Sequence, residues 1–239
     1  HLHEPDLDKN AMNYLKHCVN TNSVSTVGKF VKKFEDKISK LTGAKHVITT
    51  NSGTSALHIS CILADIGKND EVLIPSFTFV ATANAVKYCG GIPHFVDIEN
   101  QHFNIDFDKL RIYLKKITTV KNNFCINKNT GRKIKAIIPV HVFGHPVEVT
   151  KLISTAKEFN LFVIEDAADA LGSYYNNKHV GLFGNLGVLS FNGNKPITCG
   201  AGGAIITNDM LKAKQARHLV AVAKLPSSSE FIYDKVGYN

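Results

Sequence analysis

Lysine suits covalent bonding to a carbonyl carbon, provided its amine is withheld from water. Lys195 has an unusual setting for such a role. It lies between the apolar run that ends Leu189-Ser190-Phe191 and a glycine-rich return, Gly200-Ala201-Gly202-Gly203, not on a charged helix face. A desolvated amine there can attack an aldehyde and form an imine. Taken alone, a loop lysine is more often a solvated surface group.

Three other segments supply complementary chemistry. Phe162-Val163-Ile164-Glu165-Asp166 is an apolar strand ending in acids, which places Asp166 where α/β sheets bind ligands. Beside a pyridine nitrogen, its charge would keep that nitrogen protonated and make the ring a better electron sink. The plainer reading is a helix-capping aspartate. Thr50-Asn51-Ser52-Gly53-Thr54 opens a helix with Ala56, Ile59, Leu63 and Ile66 on one face, so its exposed amides and hydroxyls suit a phosphate dianion. A capped helix with an incidental hydroxyl cluster would look the same. Pro75-Ser76-Phe77-Thr78-Phe79 runs from a strand into a turn carrying two aromatics able to cover a flat heterocycle, although such phenylalanines are often core.

These groups need a scaffold. Short apolar runs bounded by Gly, Pro, Asn or Asp predict strands at 46–50, 71–75, 93–97, 136–141, 162–166, 187–191 and 203–207. Helices are expected between them at 29–41, 53–65, 81–88, 108–115, 148–160 and 209–219. The alternation predicts a three-layer α/β/α domain around a mostly parallel, seven-stranded sheet. Residues 120–135 read as a surface loop or hairpin. We expect an N-terminal arm and helix over 1–28, the large domain over 29–225, and over 226–239 the start of a connection to a further C-terminal domain.

Composition narrows the class. With 239 residues, 44% of them hydrophobic, the chain can bury a sizeable core. It has neither a run of ~18 apolar residues nor a basic-then-apolar leader pattern, so a cytoplasmic protein is expected. The five cysteines are scattered and never form a C-x-x-C pair, which suggests reduced thiols and no metal site. The net charge of +8 fits a phosphate-bearing ligand or nucleic acid, but the lysines are spread along helical segments and no recognition helix or RNA-binding aromatic pattern occurs.

In this order, and over about residues 27–239, the segments resemble the DegT/StrS family of pyridoxal 5'-phosphate (PLP) dependent nucleotide-sugar aminotransferases, which have the aspartate-aminotransferase-like fold type I. The matching elements are the Ser-Gly-Thr turn, P-S-x-T-aromatic-V-x-T, I-E-D-x-A, S-F-x-x-x-K and G-x-G-G. The resemblance implies that Lys195 holds the cofactor as a Schiff base and Asp166 pairs with its ring nitrogen. It places Phe79 against the ring with Phe77 beside it, Gly53, Thr54 and Ser190 on the phosphate, and His141 facing the 3-oxygen. Asp169 stands where the family often has His, Gln or Glu, and Asn239 would serve the adjacent subunit's site in a homodimer.

The stretches around His3-Glu4-Pro5, residues 25–31 and 93–97 look most like enzymes aminating a UDP-linked 4-keto-6-deoxy sugar. The expected reaction moves an amino group from an amino acid, glutamate, to that sugar's keto group. The family's dehydratase branch replaces the imine-forming lysine with histidine, so Lys195 argues against it. A regulatory or nucleic-acid-binding protein on this scaffold is the rival from a different class, and no membrane partner is expected.

Overall fold

Successive residues of a strand face opposite sides of a sheet, and here both sides are apolar. Val72, Ile74, Ala136, Ile138, Ile164, Val188 and Ile205 join one core cluster, whereas their neighbours Leu73, Ile137, Val163, Leu189 and Ile206 join clusters on the other side. A sheet buried on both faces must be covered twice, which is why the strands read as continuous apolar runs. The computed structural model describes residues 4–5, 7, 9–25, 28–226 and 230–238.

The elements run α1 (Lys9–Asn20), α2 (Lys29–Thr42), β1 (His46–Thr50), α3 (Gly53–Leu63), β2 (Glu71–Pro75), α4 (Val80–Tyr88), β3 (Ile92–Val96) and α5 (Phe107–Ile117). There follow β4 (Thr118–Lys121), β5 (Phe124–Asn127), β6 (Lys133–Ile137), α6 (Val149–Glu158), β7 (Phe162–Asp166), β8 (Tyr174–Tyr175), β9 (Lys178–His179), β10 (Leu186–Ser190), β11 (Gly203–Thr207) and α7 (Met210–Val220). Helices α3, α4 and α7 cover one face, and α5 and α6 cover the other, with α2 at the β1 end. Helix α1 buries none of its residues.

The strand path is β1-β11-β10-β7-β6-β2-β3. Along this path β10, β7, β6, β2 and β3 are parallel, and β11 runs against its neighbours β1 and β10. The carboxyl ends of β1, β2, β7 and β10 therefore share one edge of the sheet.

Of the loop or hairpin expected over residues 120–135, the structure has the hairpin: β4 and β5 pair through turn residues Asn122 and Asn123, which take left-handed φ of 50° and 61°, as a tight hairpin requires, and β5 pairs with β6. Two other expectations need correction. The sheet thus has nine strands, with the expected seven as its main path. Strand β6 ends at Ile137, not at His141. Pro139 has no N–H for the ladder, and Val140 keeps only an isolated bridge to Asp166.

Candidate active site

The shared edge gathers the predicted residues. Ser52 caps α3 by accepting the amide of Ser55 at 3.1 Å, which leaves the amides of Gly53 and Thr54 at the helix start without intrahelical acceptors. Helix start and sheet approach closely here. A Cβ on Gly53 would stand 2.9 Å from Ser190 Cβ, and one on Gly203 would stand 2.3 Å from the Ser52 carbonyl oxygen. Backbone amides and two hydroxyl residues, Thr54 and Ser190, thus line one positive helix terminus, the donor set that a phosphate dianion requires.

Asp166 ends β7 on the face toward α3 and α4 and is buried. Its Oδ2 accepts from Thr82 Oγ1 of α4 at 2.8 Å, Thr82 sits 2.8 Å from Thr78 Oγ1, and Oδ1 accepts from the Ala168 amide at 3.2 Å. Burial pushes the Asp166 carboxyl above its ordinary value. The Thr82 and Ala168 bonds and the charge of Lys195 oppose that rise, and the charge of Asp169 adds to it. Such a carboxylate gains from a cationic partner, and a protonated pyridine nitrogen is one.

Lys195 sits in the loop that follows β10. Phe191 is buried at the end of β10 and packs edge-on against Phe34 at 4.8 Å; its carbonyl accepts from Thr198 Oγ1 and the Cys199 amide, folding the loop back. The Lys195 amide donates to the Asn192 carbonyl at 3.0 Å in the tight turn between. The side chain is only 13% exposed, and Nζ donates to Asp169 Oδ1 at 2.6 Å. The structure therefore brings together Gly53, Thr54, Ser190, Asp166, Asp169 and Lys195. These residues fit PLP: a basic amine near a buried carboxylate, beside an amide cradle for the phosphate.

The remaining expected residues differ in placement. Phe79 precedes α4 with its side chain 73% exposed, so it is available to a flat ring; Phe77 lies beside it in sequence and meets Phe103 at 5.3 Å and Phe143 at 6.4 Å between ring centroids. His141 is fully buried. Its Nδ1 accepts from the Val147 amide at 3.2 Å and its Nε2 lies 3.0 Å from Glu165 Oε2, so both ring nitrogens have partners within the chain. Asn239 lies outside the described residues.

Sequence reasoning passed over two residues. Thr82 lies inside a quoted motif, but its bond to Asp166 spans 84 positions and has no local signal. Glu165 reads as one more acid at the strand end, yet it is an anchor: its two oxygens accept the amides of Gly181, Phe183 and Gly184 at 2.9, 2.7 and 2.6 Å.

A family model described as the DegT/DnrJ/EryC1/StrS aminotransferase family matches residues 5–239. The chain is 38% identical to GDP-perosamine synthase of Caulobacter vibrioides over 98% of its own length and 59% of that protein. It is 32% identical to EpsN of Bacillus subtilis, provisionally named a pyridoxal phosphate-dependent aminotransferase, over 100% of this chain and 59% of that one. The crystal structure of a DegT DnrJ EryC1 StrS aminotransferase from Brucella abortus superposes with a TM-score of 0.85 at 33% identity, covering 97% of this chain and 59% of that one. The chain thus spans about three fifths of the length of these relatives. With motifs, fold and whole-chain similarity in agreement, the chain belongs to the DegT/DnrJ/EryC1/StrS aminotransferase family.

Proposed function

We propose that this chain is the cofactor-binding part of a PLP-dependent aminotransferase that transfers an amino group from glutamate to the keto group of a nucleotide-linked 4-keto-6-deoxy sugar. The observation that carries the reading is the placement of the Lys195 amine, shielded from water and bonded to Asp169, close enough to the buried Asp166 carboxyl for its charge to act there. The product names of the GDP-perosamine synthases support a nucleotide-sugar substrate.

When bound, PLP supplies a ring that takes up the electron pair left as a proton departs from the carbon bearing the amino nitrogen. Asp166, held in place by Thr82 and the Ala168 amide, would keep a positive charge on the ring nitrogen. The Gly53 and Thr54 amides with Ser190 would hold the phosphate. Lys195 Nζ carries the proton from the donor carbon and returns it on the other side of the transfer, with Asp169 stabilising its ammonium form. Phe79, exposed beside the site, would cover one face of the ring.

In this reading Asn239 completes the site of a second subunit in a homodimer, the domain boundaries lie near residues 28 and 225, and the enzyme works in the cytoplasm. Among the described residues, no helix is long and apolar enough to cross a membrane. The test is the absorbance of the protein with added PLP. Wild type should show an imine band near ~420 nm that glutamate bleaches. A Lys195→Ala protein with the same band would refute the assignment.

A further inference from the structure

Glu71 opens β2, at the edge of the sheet opposite the site described above, and there three side chains with acid–base chemistry meet in a line. The buried Glu71 places Oε2 2.8 Å from Nδ1 of His94 on the neighbouring strand β3. His94 Nε2 lies 3.1 Å from the hydroxyl oxygen of Tyr113 on α5, and the two rings meet edge-on at 5.7 Å. The carboxyl group has further partners. Oε2 accepts from Asn127 Nδ2 at 2.9 Å and Oε1 from Thr130 Oγ1 at 2.7 Å, with Arg132 Nη1 3.9 Å from Oε1.

Burial pushes the Glu71 carboxyl up, but the bonds from Asn127, Thr130 and His94 outweigh it and leave the group below its ordinary value. An ionised carboxylate only accepts. In the neutral imidazole the proton therefore sits on Nδ1, toward Glu71, and the Nε2 lone pair faces the Tyr113 hydroxyl. Tyr113 is 41% exposed, within reach of a solute.

We propose that Tyr113, His94 and Glu71 form a second reactive site, in which the Tyr113 phenol takes an acyl group from an activated ester. A hydroxyl, a base within hydrogen-bond reach and a third group that orients the base are the parts such a nucleophile requires. Glu71 is the positioning residue, fixing the imidazole tautomer and balancing the charge that His94 gains. The Tyr113 oxygen attacks the ester carbonyl carbon as its proton passes to His94 Nε2. The adduct then collapses, the bond to the leaving alcohol breaks, and the proton on Nε2 goes to the departing oxygen. An O-acyl tyrosine and a free alcohol result. Neither Lys195 nor PLP takes part.

The experiment incubates the purified, PLP-loaded protein with p-nitrophenyl acetate and follows acetylation peptide by peptide. Tyr14 and Tyr233, 49% and 52% exposed, are the references. At pH 8 Tyr113 should react about 10²-fold faster than either, the low end of what a positioned base supplies. From pH 8 to pH 9 the references should climb about tenfold, as phenols that must ionise in bulk water, whereas Tyr113 should climb no more than about twofold. His94→Gln should bring Tyr113 down to the references and give it their climb, and Glu71→Gln should slow Tyr113 while leaving the references unchanged. If the variants fail to fold, the wild-type rates and pH profile decide alone. An advantage under about tenfold, a tenfold climb at Tyr113 in wild type, or an advantage that survives His94→Gln overturns the proposal.

Discussion

Glu165 and Asp166 are consecutive on β7, both carboxylates and both buried, yet they do opposite things. Glu165 faces the α5/α6 side and collects three backbone amides and the His141 ring. Burial pushes its carboxyl up, but His141 and the Gly184 and Gly181 amides outweigh that, and it ends below the ordinary value. Asp166 faces the α3/α4 side with Thr82 and one amide, and it ends above. The anchoring acid is saturated by its own chain, whereas the acid at the ligand edge retains an appetite for a cation.

The widest separation of the two should come from Asp166→Asn. Turnover in the whole protein should fall by about 10²-fold or more, while PLP is still retained, as when one preorganised electrostatic group is lost. Near-normal activity would remove Asp166 from the mechanism. Glu165→Gln should do the reverse, sparing the chemistry of the fraction that folds but destabilising the protein by about 1–3 kcal/mol for each amide left without an acceptor. A thermal melt unchanged from wild type would show that Glu165 is no anchor.

A smaller effect is expected of Thr82→Val, which removes one hydrogen bond to the Asp166 carboxylate. Turnover should drop about tenfold, the scale of a single bond to a charged group, with the melting temperature nearly unchanged. Loss as large as that of Asp166→Asn would mean Thr82 has a role beyond support.

Acid titration gives the finest discrimination. Glu165 is lowered in the folded chain, so its stabilisation is present in full above the unfolded carboxylate value of about 4 and is lost as pH falls through its folded value. Asp166 is raised, so in the cofactor-free protein it costs stability as pH climbs from about 4 through its folded value. Denaturant melts against pH should therefore show a flatter acid limb in Glu165→Gln and higher neutral-pH stability in Asp166→Asn. Identical slopes in both variants would dissolve the contrast.

This pair also marks how far the primary sequence could be read. The positions of Asp166, Lys195 and the Gly53 turn were legible because each sits where a strand gives way to a turn, and that punctuation is local. Glu165 and Thr82 were not, because their partners lie 16 to 24 and 84 positions away, and nothing near them in the chain signals the contact. The β4–β5 hairpin lay between: its polar, Asn- and Gly-interrupted stretch admitted a loop or a hairpin, but the pairing of β5 with β6 has no local signal. The early end of β6 was written in Pro139 and was outweighed by the apolar run around it.

The approach of Gly53 to Ser190 reaches beyond this one molecule. Because a Cβ at position 53 would intrude on the Ser190 side chain, neither position can drift alone across generations of related chains. A bulkier residue at 190 is admissible only with glycine at 53, and a side chain at 53 demands that the strand end retreat. Two sites 137 residues apart should therefore behave in evolution as one inherited unit.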